Sequence, residues 1–457
     1  MAKNQSLGYY LDKLEKERPA EILDVGEAIP RDFIFMAMAK ELDKEEFPPV
    51  IRAKIDGYDM PVLGNLFASR KRIANMLGFE NESKIVENWS RIEKNLIKPQ
   101  IVPHGAIQDV VMTGNDIDCG EMPLMQYYPT DAGRYISSGI VVVKDPETGV
   151  HNLSIHRMQY KGPNRFGISL HSRRHLYHHY ERALKVGKPL EVAIIIGAHP
   201  SVYLAAVSKP ALEVDEYEVA GAVLNEPLEL VYGKTIDVFY PAEAEIVLEG
   251  IIPIDEFDDE GPFGEFTGYS TSRSTRNIFE VTAVCQRKNP YYEIIVPGSA
   301  KDHLFLAGVV RETFVYQRLK ESITWVKAVS YTTSGANFHC YVQLEPCPEG
   351  VAKQALTMLL GLDYQIKMAV AVDEDVDITR DEEVLWAIAT RCRMREDLFM
   401  VQNSFIISLD PTSKDNTNDK ICIDATMTKE MREEVIVLKT APEHKKVAQA
   451  FINATRN

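Results

Sequence analysis

The stretch Asp258-Asp259-Glu260-Gly261-Pro262-Phe263-Gly264-Glu265 sets two carboxylates on either side of a Gly-Pro-Phe-Gly turn. Proline fixes one backbone angle and glycine permits positive ones, so neither a helix nor a regular strand runs through this turn. The turn therefore holds Glu260 and Glu265 on a stiff support, where neighbouring charges can separate their pKa values for acid and base catalysis. An acidic surface turn is the alternative, because Glu256 and the two aspartates lie alongside.

The cation that would turn these carboxylates into a site is Arg157, at the end of the strand pattern Asn152-Leu-Ser-Ile-His-Arg157. A planar guanidinium binds carboxylates through two parallel hydrogen bonds and keeps its charge. On an ideal strand Asn152 and Arg157 face opposite ways, so they serve one site only if the strand bends or runs alongside a ligand. A surface arginine at a strand end is the alternative.

The composition is that of a soluble globular protein. The 457 residues can form two or three domains, and 51 basic against 67 acidic residues give a formal charge of -16. This charge disfavours nonspecific binding to nucleic acid or anionic lipid, so we expect a small-molecule substrate and no nucleic-acid or membrane partner. The six cysteines form no C-x-x-C pair, no apolar run approaches the roughly 20 residues of a membrane span, and the first residues lack the apolar core of a signal peptide. These features predict a cytoplasmic protein.

Hydrophobic periodicity divides the chain into three predicted domains. Residues 1–118 mix helical and strand patterns, and residues 119–300 carry closely spaced strand patterns interrupted by one helix at 175–186. Residues 301–457 return to alternating helices and strands. The prediction is an α/β (α+β) chain whose central sheet domain, open or barrel-like, is flanked by an N-terminal and a C-terminal α/β domain. A last amphipathic helix, predicted at 441–454, can dock on another surface.

Two further clusters could hold ligands. His175, His178 and His179 share a helix face, and the first with the last would suit a metal, but the H-E-x-x-H pattern is absent and a solvent-exposed face explains most such clusters. The run Asp373-Glu-Asp-Val-Asp377 is interpreted as a solvated turn rather than a divalent-ion site. Lys367, at the start of the preceding strand, could reach a phosphate. The sequence contains no dinucleotide, P-loop or nucleophile-elbow signature.

A set of motifs, in this order and spacing, resembles the UbiD-type decarboxylases that use prenylated FMN. These motifs are Tyr135-Ile-Ser-Ser-Gly139, Asn152-Leu-Ser-Ile-His-Arg-Met-Gln159, the helix around His175, Asp215-Glu216 leading to Gly221-Ala222 and Asn225-Glu-Pro227, Ala244-Glu-Ile-Val-Leu-Glu-Gly250, and Glu260-Gly-Pro-Phe-Gly-Glu265. The resemblance spans most of the chain. It implies a central domain like the flavin-reductase split β-barrel and subunit contacts in the C-terminal domain.

The resemblance also implies a cofactor and metal site. The metal ligands fall on Asn152, His175 and Glu216, where Mn²⁺ or Mg²⁺ would bridge to the cofactor phosphate, and a K⁺ ion is usual near Glu216. The cofactor contacts are these three residues together with Ser137, Ser154, Ile155, Arg157, Arg174 and, as the phosphate candidate, Lys367. The positions that depart from the family are Arg174, which is uncharged in some relatives, Leu153, which replaces an aromatic residue, and the stretch after Arg391, where many relatives have Gln-Pro.

The activity that the resemblance implies is reversible non-oxidative decarboxylation of an aromatic or heteroaromatic carboxylic acid, with prenylated FMN as the electron sink. Arg157 would grip the substrate carboxylate, Glu265 would protonate the carbon after CO₂ leaves, and Glu260 would hold Arg157. A flavin prenyltransferase would supply the cofactor. The chain would form a homodimer or a larger homo-oligomer through its C-terminal domain.

Two other functions stay open on the sequence. A glycoside hydrolase could use Glu260 and Glu265 as acid and base, although three tryptophans are few for a sugar-stacking cleft. A flavin-binding accessory protein could keep the same fold without turnover.

Overall fold

The computed structural model describes residues 3–145, 147–170, 175–208, 210, 213–272, 274–438 and 440–456. Arg174, one of the predicted cofactor contacts, lies outside the described residues. In the described ranges, no helix combines the length and the apolar character that crossing a bilayer requires.

The N-terminal part folds around a small sheet in which the first three strands pair in chain order. Its elements are α1 (Leu7–Glu17), β1 (Ile22–Asp24), α2 (Ile34–Leu42), β2 (Val50–Ala53), β3 (Val62–Gly64), α3 (Arg70–Met76) and α4 (Lys84–Lys94). Ser6 and Ser69 begin α1 and α3, because each side chain accepts a hydrogen bond from a backbone N–H of the first turn. Trp89 of α4 is fully buried in the core below.

The central part carries most of the strands. Its elements are β4 (Gln100–Ile101), β5 (Val110–Thr113), β6 (Tyr135–Lys144), β7 (His151–Gly162), β8 (Arg165–Ile168), α5 (His175–Val186), β9 (Leu190–Ile196), α6 (Pro200–Val207), α7 (Glu216–Leu224), β10 (Glu229–Tyr232), β11 (Phe239–Pro241), β12 (Ile246–Ile252), β13 (Phe263–Gly264), β14 (Ser270–Thr271), β15 (Asn277–Gln286) and β16 (Tyr292–Glu293). Strand β16 then pairs with β3, which joins the barrel to the N-terminal sheet.

A closed β-barrel forms the middle of the molecule. Among the described residues its strands follow the order β12-β9-β6-β7-β8-β15, and β12 pairs with β15 to close the ring, all antiparallel. Both faces of the wall are buried, because Ile140 and Val142 of β6 pack in one hydrophobic cluster while Val141 and Val143 pack in the other. The predicted central β-barrel is confirmed. Strand β5 extends this sheet from within the predicted N-terminal domain, and the boundary at residue 118 stays a prediction.

The C-terminal part is a separate α/β layer. Its elements are α8 (Lys301–Ser322), β17 (Val326–Tyr331), β18 (His339–Leu344), α9 (Val351–Leu362), β19 (Met368–Asp373), α10 (Asp381–Arg391), β20 (Leu398–Phe405), β21 (Thr417–Ala425), α11 (Lys429–Glu434) and α12 (Pro442–Arg456). The strands pair in the order β17-β18-β19-β21-β20. The fold class predicted from the sequence, a β-barrel flanked by two α/β layers, is therefore confirmed.

Helix α12, predicted at 441–454, leaves its apolar side chains in solvent. Val447, Phe451 and Ile452 are 56%, 72% and 44% exposed. Globular monomers usually bury such a stripe, so this helix is an available contact surface.

Candidate active site

Arg157 of β7 lies between the two glutamates of the Gly-Pro turn. Its Nε donates to Glu260 Oε1 at 2.9 Å and its Nη2 donates to Glu260 Oε2 at 3.1 Å. Its Nη1 donates to Glu265 Oε1. The Glu260 side chain is fully buried, whereas the side chains of Arg157 and Glu265 keep 13% and 14% of their surface in contact with solvent. One guanidinium thus binds both carboxylates, and it makes two parallel hydrogen bonds with Glu260.

The turn itself is fixed to the barrel by hydrogen bonds at each end. Gly261 N donates to Gln159 Oε1 at 3.1 Å, and Gly264 N donates to Asp131 Oδ1 at 2.9 Å. The Pro262 carbonyl accepts a hydrogen bond from the backbone N–H of Ala132 at 2.8 Å. These bonds leave the backbone between the two glutamates little freedom, so Glu260 and Glu265 are positioned before any ligand binds.

Aromatic packing holds the arginine in place from below. The Phe263 ring lies 4.5 Å from the Tyr135 ring, and the guanidinium carbon of Arg157 lies 5.0 Å from the Phe263 ring centre. Burial of this guanidinium opposes its charge, but the carboxylates of Glu265 and Glu260 outweigh burial and raise the pKa of Arg157. Arg157 therefore stays positively charged.

Strand β7 brings Asn152 and Arg157 to the same cavity although they are an odd number of residues apart. Residues 152–157 all line the cavity, so the strand runs alongside it. The pairing of β6 with β7 also shifts register opposite Arg157, because Ile136 faces Met158 and Gly139 faces His156. The extra residue on β6 is a β-bulge, a feature that redirects side chains. Asn152 and Arg157 can therefore serve one site, because β7 runs alongside the cavity as the sequence analysis required.

Asn152, His175 and Glu216 converge from three elements. Asn152 Nδ2 donates to Glu216 Oε1 at 2.9 Å and lies 3.4 Å from His175 Nδ1. His175 is the first residue of α5, and Glu216 is the first residue of α7, where Asp215 caps the helix. The backbone N–H of Leu153 donates to the other Glu216 oxygen at 3.2 Å.

This group has polar atoms that the protein alone leaves unsatisfied. Asn152 Oδ1 is buried without a hydrogen-bond partner among the described residues. Burial raises the pKa of Glu216 to about 8 and lowers the pKa of His175. One amide oxygen, one carboxylate and one neutral imidazole are a donor set that suits a divalent cation such as Mn²⁺ or Mg²⁺. Among the described residues, no three His, Cys, Asp or Glu side chains converge as metal ligands, and this trio contains an amide in place of one of them.

Both groups line one cavity of about 520 Å³ between the barrel and the C-terminal layer. Glu265 lines it, whereas Glu260 is absent from the described residues that do so. The C-terminal layer supplies the opposite wall through the side chains of His303, Leu304, Leu306, Ala307, Arg311, Asn337, Tyr364, Gln365, Ile407 and Leu409. The cavity is large enough for a small molecule, and its wall combines apolar side chains with many polar and charged ones.

The remaining predicted cofactor contacts divide into two groups. Ser137, Ser154 and Ile155 line the cavity, and Ser137 Oγ lies 2.8 Å from the Tyr127 hydroxyl. Lys367 is not among the described residues that line the cavity, and its Nζ instead donates to Asp410 Oδ1 at 3.0 Å. The structure thus gives no support to a phosphate contact at Lys367.

The neighbouring histidines lie elsewhere. His178 is exposed, with Nδ1 3.3 Å from Glu181 Oε2, and His179 is buried with Nδ1 3.8 Å from Asp145. Of these helix histidines, His175 is the one that lines the cavity in the described part of the chain.

The acidic run after β19 is a turn in which Glu374 and Asp377 are exposed, as predicted, but Asp373 and Asp375 form a salt-bridge cluster. Arg391 Nη1 donates to Asp373 at 2.9 Å, and Arg391 Nη2 donates to Asp375 at 2.9 Å. Asp373 is buried, so this part of the sequence interpretation is wrong. Arg391 itself lies in this cluster and is absent from the described lining of the cavity.

Sequence reasoning missed Asp131 and Gln159, two side chains that hydrogen-bond to the Gly-Pro-Phe-Gly turn. Gln159 stands two residues after Arg157 in the same motif, and Asp131 stands in a turn just before β6. Alternation along β7 places Gln159 on the same side as Arg157, a signal that could have found it. Asp131 is joined to Gly264 across more than a hundred residues, and local pattern gives no such pairing.

Three family models match the chain in order. They describe the N-terminal, the Rift-related and the C-terminal domains of 3-octaprenyl-4-hydroxybenzoate carboxy-lyase and match residues 13–91, 100–300 and 304–425. The anhydromevalonate phosphate decarboxylase of Methanothermobacter thermautotrophicus is 31% identical over 419 residues, which are 91% of this chain and 96% of that protein. The chain belongs to the UbiD family. It is a UbiD-class carboxy-lyase.

Solved structures of UbiD-class enzymes have the same fold. HmfF from Pelotomaculum thermopropionicum, in complex with FMN, superimposes with a TM-score of 0.91 at 36% identity and covers 96% of this chain and 98% of its own. An evolved dimeric form of HmfF, in complex with prFMN, gives a TM-score of 0.87 at 34% identity and the same coverage. The vanillic acid decarboxylase of Sedimentibacter hydroxybenzoicus gives 0.88 at 27% identity over 99% of each chain.

Proposed function

We propose that this UbiD-class enzyme decarboxylates an aromatic or heteroaromatic carboxylic acid, reversibly, with prenylated FMN and a divalent metal ion. The observation that carries the proposal is the placement of Arg157, Glu265 and the Asn152 group on one cavity. The complexes of HmfF with FMN and prFMN, and the vanillic acid decarboxylase structure, support the cofactor and the substrate class.

The metal would be held by Asn152, His175 and Glu216, with K⁺ as a second ion near Glu216. A cation there would favour the ionised form of Glu216 and satisfy Asn152 Oδ1 once the amide oxygen faces it. Ser137, Ser154 and Ile155 would contact the cofactor. When bound, prenylated FMN supplies the electron sink that loss of CO₂ from an sp² carbon requires.

The acid and base roles follow from exposure to the cavity. Arg157 keeps its charge at the cavity wall and would bind the substrate carboxylate. Glu265 lines the cavity and would deliver the proton to the carbon that loses CO₂. Glu260 is fully buried behind Arg157 and bonded to it twice, so it would orient the guanidinium. Reversal of the proton transfer at Glu265 permits carboxylation when CO₂ is abundant.

The geometry disfavours the hydrolase alternative. A glycoside hydrolase places two carboxylates on opposite sides of the bond that it cleaves. Here one guanidinium joins Glu260 and Glu265, and the Glu260 side chain is fully buried. An accessory protein without turnover would have no need for this charged group beside the cavity.

The experiment that tests the proposal compares protein made with and without a flavin prenyltransferase. We expect CO₂ release, from at least one acid of a panel of hydroxybenzoic, furoic, pyrrole and fused-ring acids, only with the prenylated cofactor. The same panel should include a phosphorylated unsaturated acid, because similar proteins are anhydromevalonate phosphate decarboxylases. Flavin binding without CO₂ release from any acid would favour the accessory alternative.

We also propose that the chain is at least a dimer and uses α12 in its subunit contact. The exposed Val447, Phe451 and Ile452 provide an apolar stripe on this helix. Light scattering at micromolar concentration should give at least twice the 51.6 kDa of one chain. A mass of one chain would contradict the proposal.

A further inference from the structure

A long hairpin loop, residues 406–416, forms part of the substrate side of the cavity. It joins the antiparallel strands β20 and β21, which pair up to Phe405 and Thr417. Ile407 and Leu409 of this loop line the cavity. Tyr364, which also lines it, packs its ring 5.2 Å from the ring of Phe405 at the loop's start. The loop is therefore the apolar face that a bound acid would meet opposite the barrel.

A polar cluster centred on Asp410 fixes the loop to the sheet. Lys367 Nζ donates to Asp410 Oδ1 at 3.0 Å, and Asn418 Nδ2 donates to Asp410 Oδ2 at 2.7 Å. Within the loop, Thr412 N donates to Asp410 Oδ1 at 3.0 Å. The Asp410 side chain is only 1% exposed, so its charge depends on these partners. One buried carboxylate thus ties the loop to β21 and to the residue just before β19.

Lys367 also connects this cluster to the wall beside the catalytic turn. Its backbone N–H donates to the Phe338 carbonyl at 2.7 Å. The Phe338 ring lies 5.6 Å from the ring of Phe266, the residue that follows Glu265. Loss of the Lys367 ammonium would leave the Asp410 carboxylate buried without its cation, a cost that movement of the loop toward solvent would relieve.

We propose that Lys367 and Asp410 are positioning residues that hold Ile407 and Leu409 against the substrate and so determine which acids the enzyme accepts. This inference rests on the proposed function, because it assigns the acid to this cavity. The ligand class is a flat acid whose ring packs on apolar side chains, since aliphatic groups and not charges face the cavity from this loop. Lys367 acts on the substrate through the loop and does not touch the cofactor.

The test compares Lys367→Met with Lys327→Met in the holoenzyme. Lys327 pairs with Glu374 at 2.8 Å in the same layer, and both side chains are 44% exposed, so it is a matched surface control. In Lys367→Met we expect backbone amides of residues 406–416 to exchange hydrogen on the order of tenfold faster. We expect KM for the preferred acid to rise about tenfold with kcat within about threefold, at unchanged flavin content.

Two further variants separate positioning from simple destabilisation. Lys367→Arg keeps the cation and should restore KM to near the wild-type value. Lys367→Met combined with Asp410→Asn should raise KM no further than either change alone, because both remove one interaction. If Lys367→Met does not fold, Leu409→Ala replaces it and should shift the preference toward bulkier acids.

The outcomes are distinct. Unchanged exchange in the loop, or faster exchange with an unchanged acid preference, would overturn the inference. Loss of flavin from Lys367→Met would overturn it too, in favour of a cofactor contact. A wild-type holoenzyme that releases CO₂ from no acid would contradict the proposed function instead, and the exchange rates alone would then decide whether Lys367 positions the loop.

Discussion

The two polar groups on the cavity differ in how completely the protein satisfies them. In the arginine group, Glu260 and Glu265 each receive hydrogen bonds from Arg157, and the turn that carries them is fixed at both ends. In the amide group, Asn152 Oδ1 lacks a partner among the described residues, and burial raises the pKa of Glu216 to about 8. Strand β7 supplies Asn152 to one group and Arg157 to the other, and five residue steps along the strand place their Cα atoms roughly 16 Å apart.

This difference indicates that the arginine group is complete without a ligand, whereas the amide group is suited to binding one. The protein alone assembles the arginine group, as the proposed roles in proton transfer and carboxylate binding require. The amide group keeps an unsatisfied oxygen, so the proposed cation would complete it and would couple its stability to its affinity for ligand. Variants in the arginine group should therefore reduce turnover and stability, whereas variants in the amide group should reduce the metal and flavin content.

The largest effect is expected for Arg157→Ala. It leaves Glu260 buried without a cation, which should reduce the free energy of unfolding by about 3–5 kcal/mol and lower CO₂ release more than about a thousandfold. Denaturant unfolding and CO₂ assays measure both. Arg165→Ala removes an exposed partner of Glu256 and should cost less than about 1 kcal/mol. Equal losses in the two variants would contradict the account.

Glu265→Gln should separate turnover from assembly. The amide cannot supply the proton, so turnover and solvent deuterium incorporation should fall about 10²- to 10⁴-fold while flavin content stays normal. Glu256→Gln, on the exposed approach to the same turn, is the matched control and should behave as wild type. Near-normal deuterium incorporation in Glu265→Gln would place the proton donor elsewhere.

His175→Ala should affect occupancy rather than folding. Losing a first ligand should lower metal and flavin content more than about tenfold, since even indirect changes around metal ligands cost that much. Metal analysis and the flavin spectrum measure this result. His178→Ala, on the exposed face of α5, should retain both. The reverse pattern would move the metal site.

The smallest expected effect concerns His199, which lies outside both groups and makes the stability of the fold depend on pH. Burial, together with the positive charge of Lys13, lowers the pKa of His199 to about 4, and the His199 Nδ1 accepts a hydrogen bond from Ser201 N at the start of α6. The unfolded chain gains this proton below pH 6.5, so the stability from neutral His199 is present above that value and lost as pH falls. When the pH falls from 7.5 to 5, the free energy of unfolding of His199→Asn should decrease by about 1–2 kcal/mol less than that of the wild type. Parallel pH curves would contradict this assignment.

The sequence predicts those parts of the site that local chemistry encodes. The Gly-Pro-Phe-Gly turn identifies Glu260 and Glu265 because proline and glycine interrupt helices and long strands, and only the two-residue strand β13 forms within it. Arg157 follows as the needed cation. The roles of the two glutamates came from the family resemblance and stay a proposal, which their different exposure to the cavity supports. The cofactor contact predicted at Lys367 also stays a prediction; its observed partner, Asp410, lies on a loop whose course no periodicity encodes.

The sequence predicted the domains and their fold class, but it did not predict which distant strands pair with each other. Closely spaced strand patterns predicted a central sheet domain, open or barrel-like, and the family resemblance implied the closed form. The pairing of β16 with β3, and of β5 with β15, joins segments far apart in the chain. Asp373 was interpreted as solvated because its partners Arg391 and Arg432 lie 18 and 59 residues away.

The most direct test of the central claim is CO₂ release by protein loaded with prenylated FMN, measured side by side with protein loaded with FMN alone. The account predicts acid-dependent CO₂ release only with the prenylated cofactor, together with its loss in Glu265→Gln at unchanged flavin content. Equal CO₂ release from both preparations, or none from the prenylated one with every acid of the panel, would contradict it.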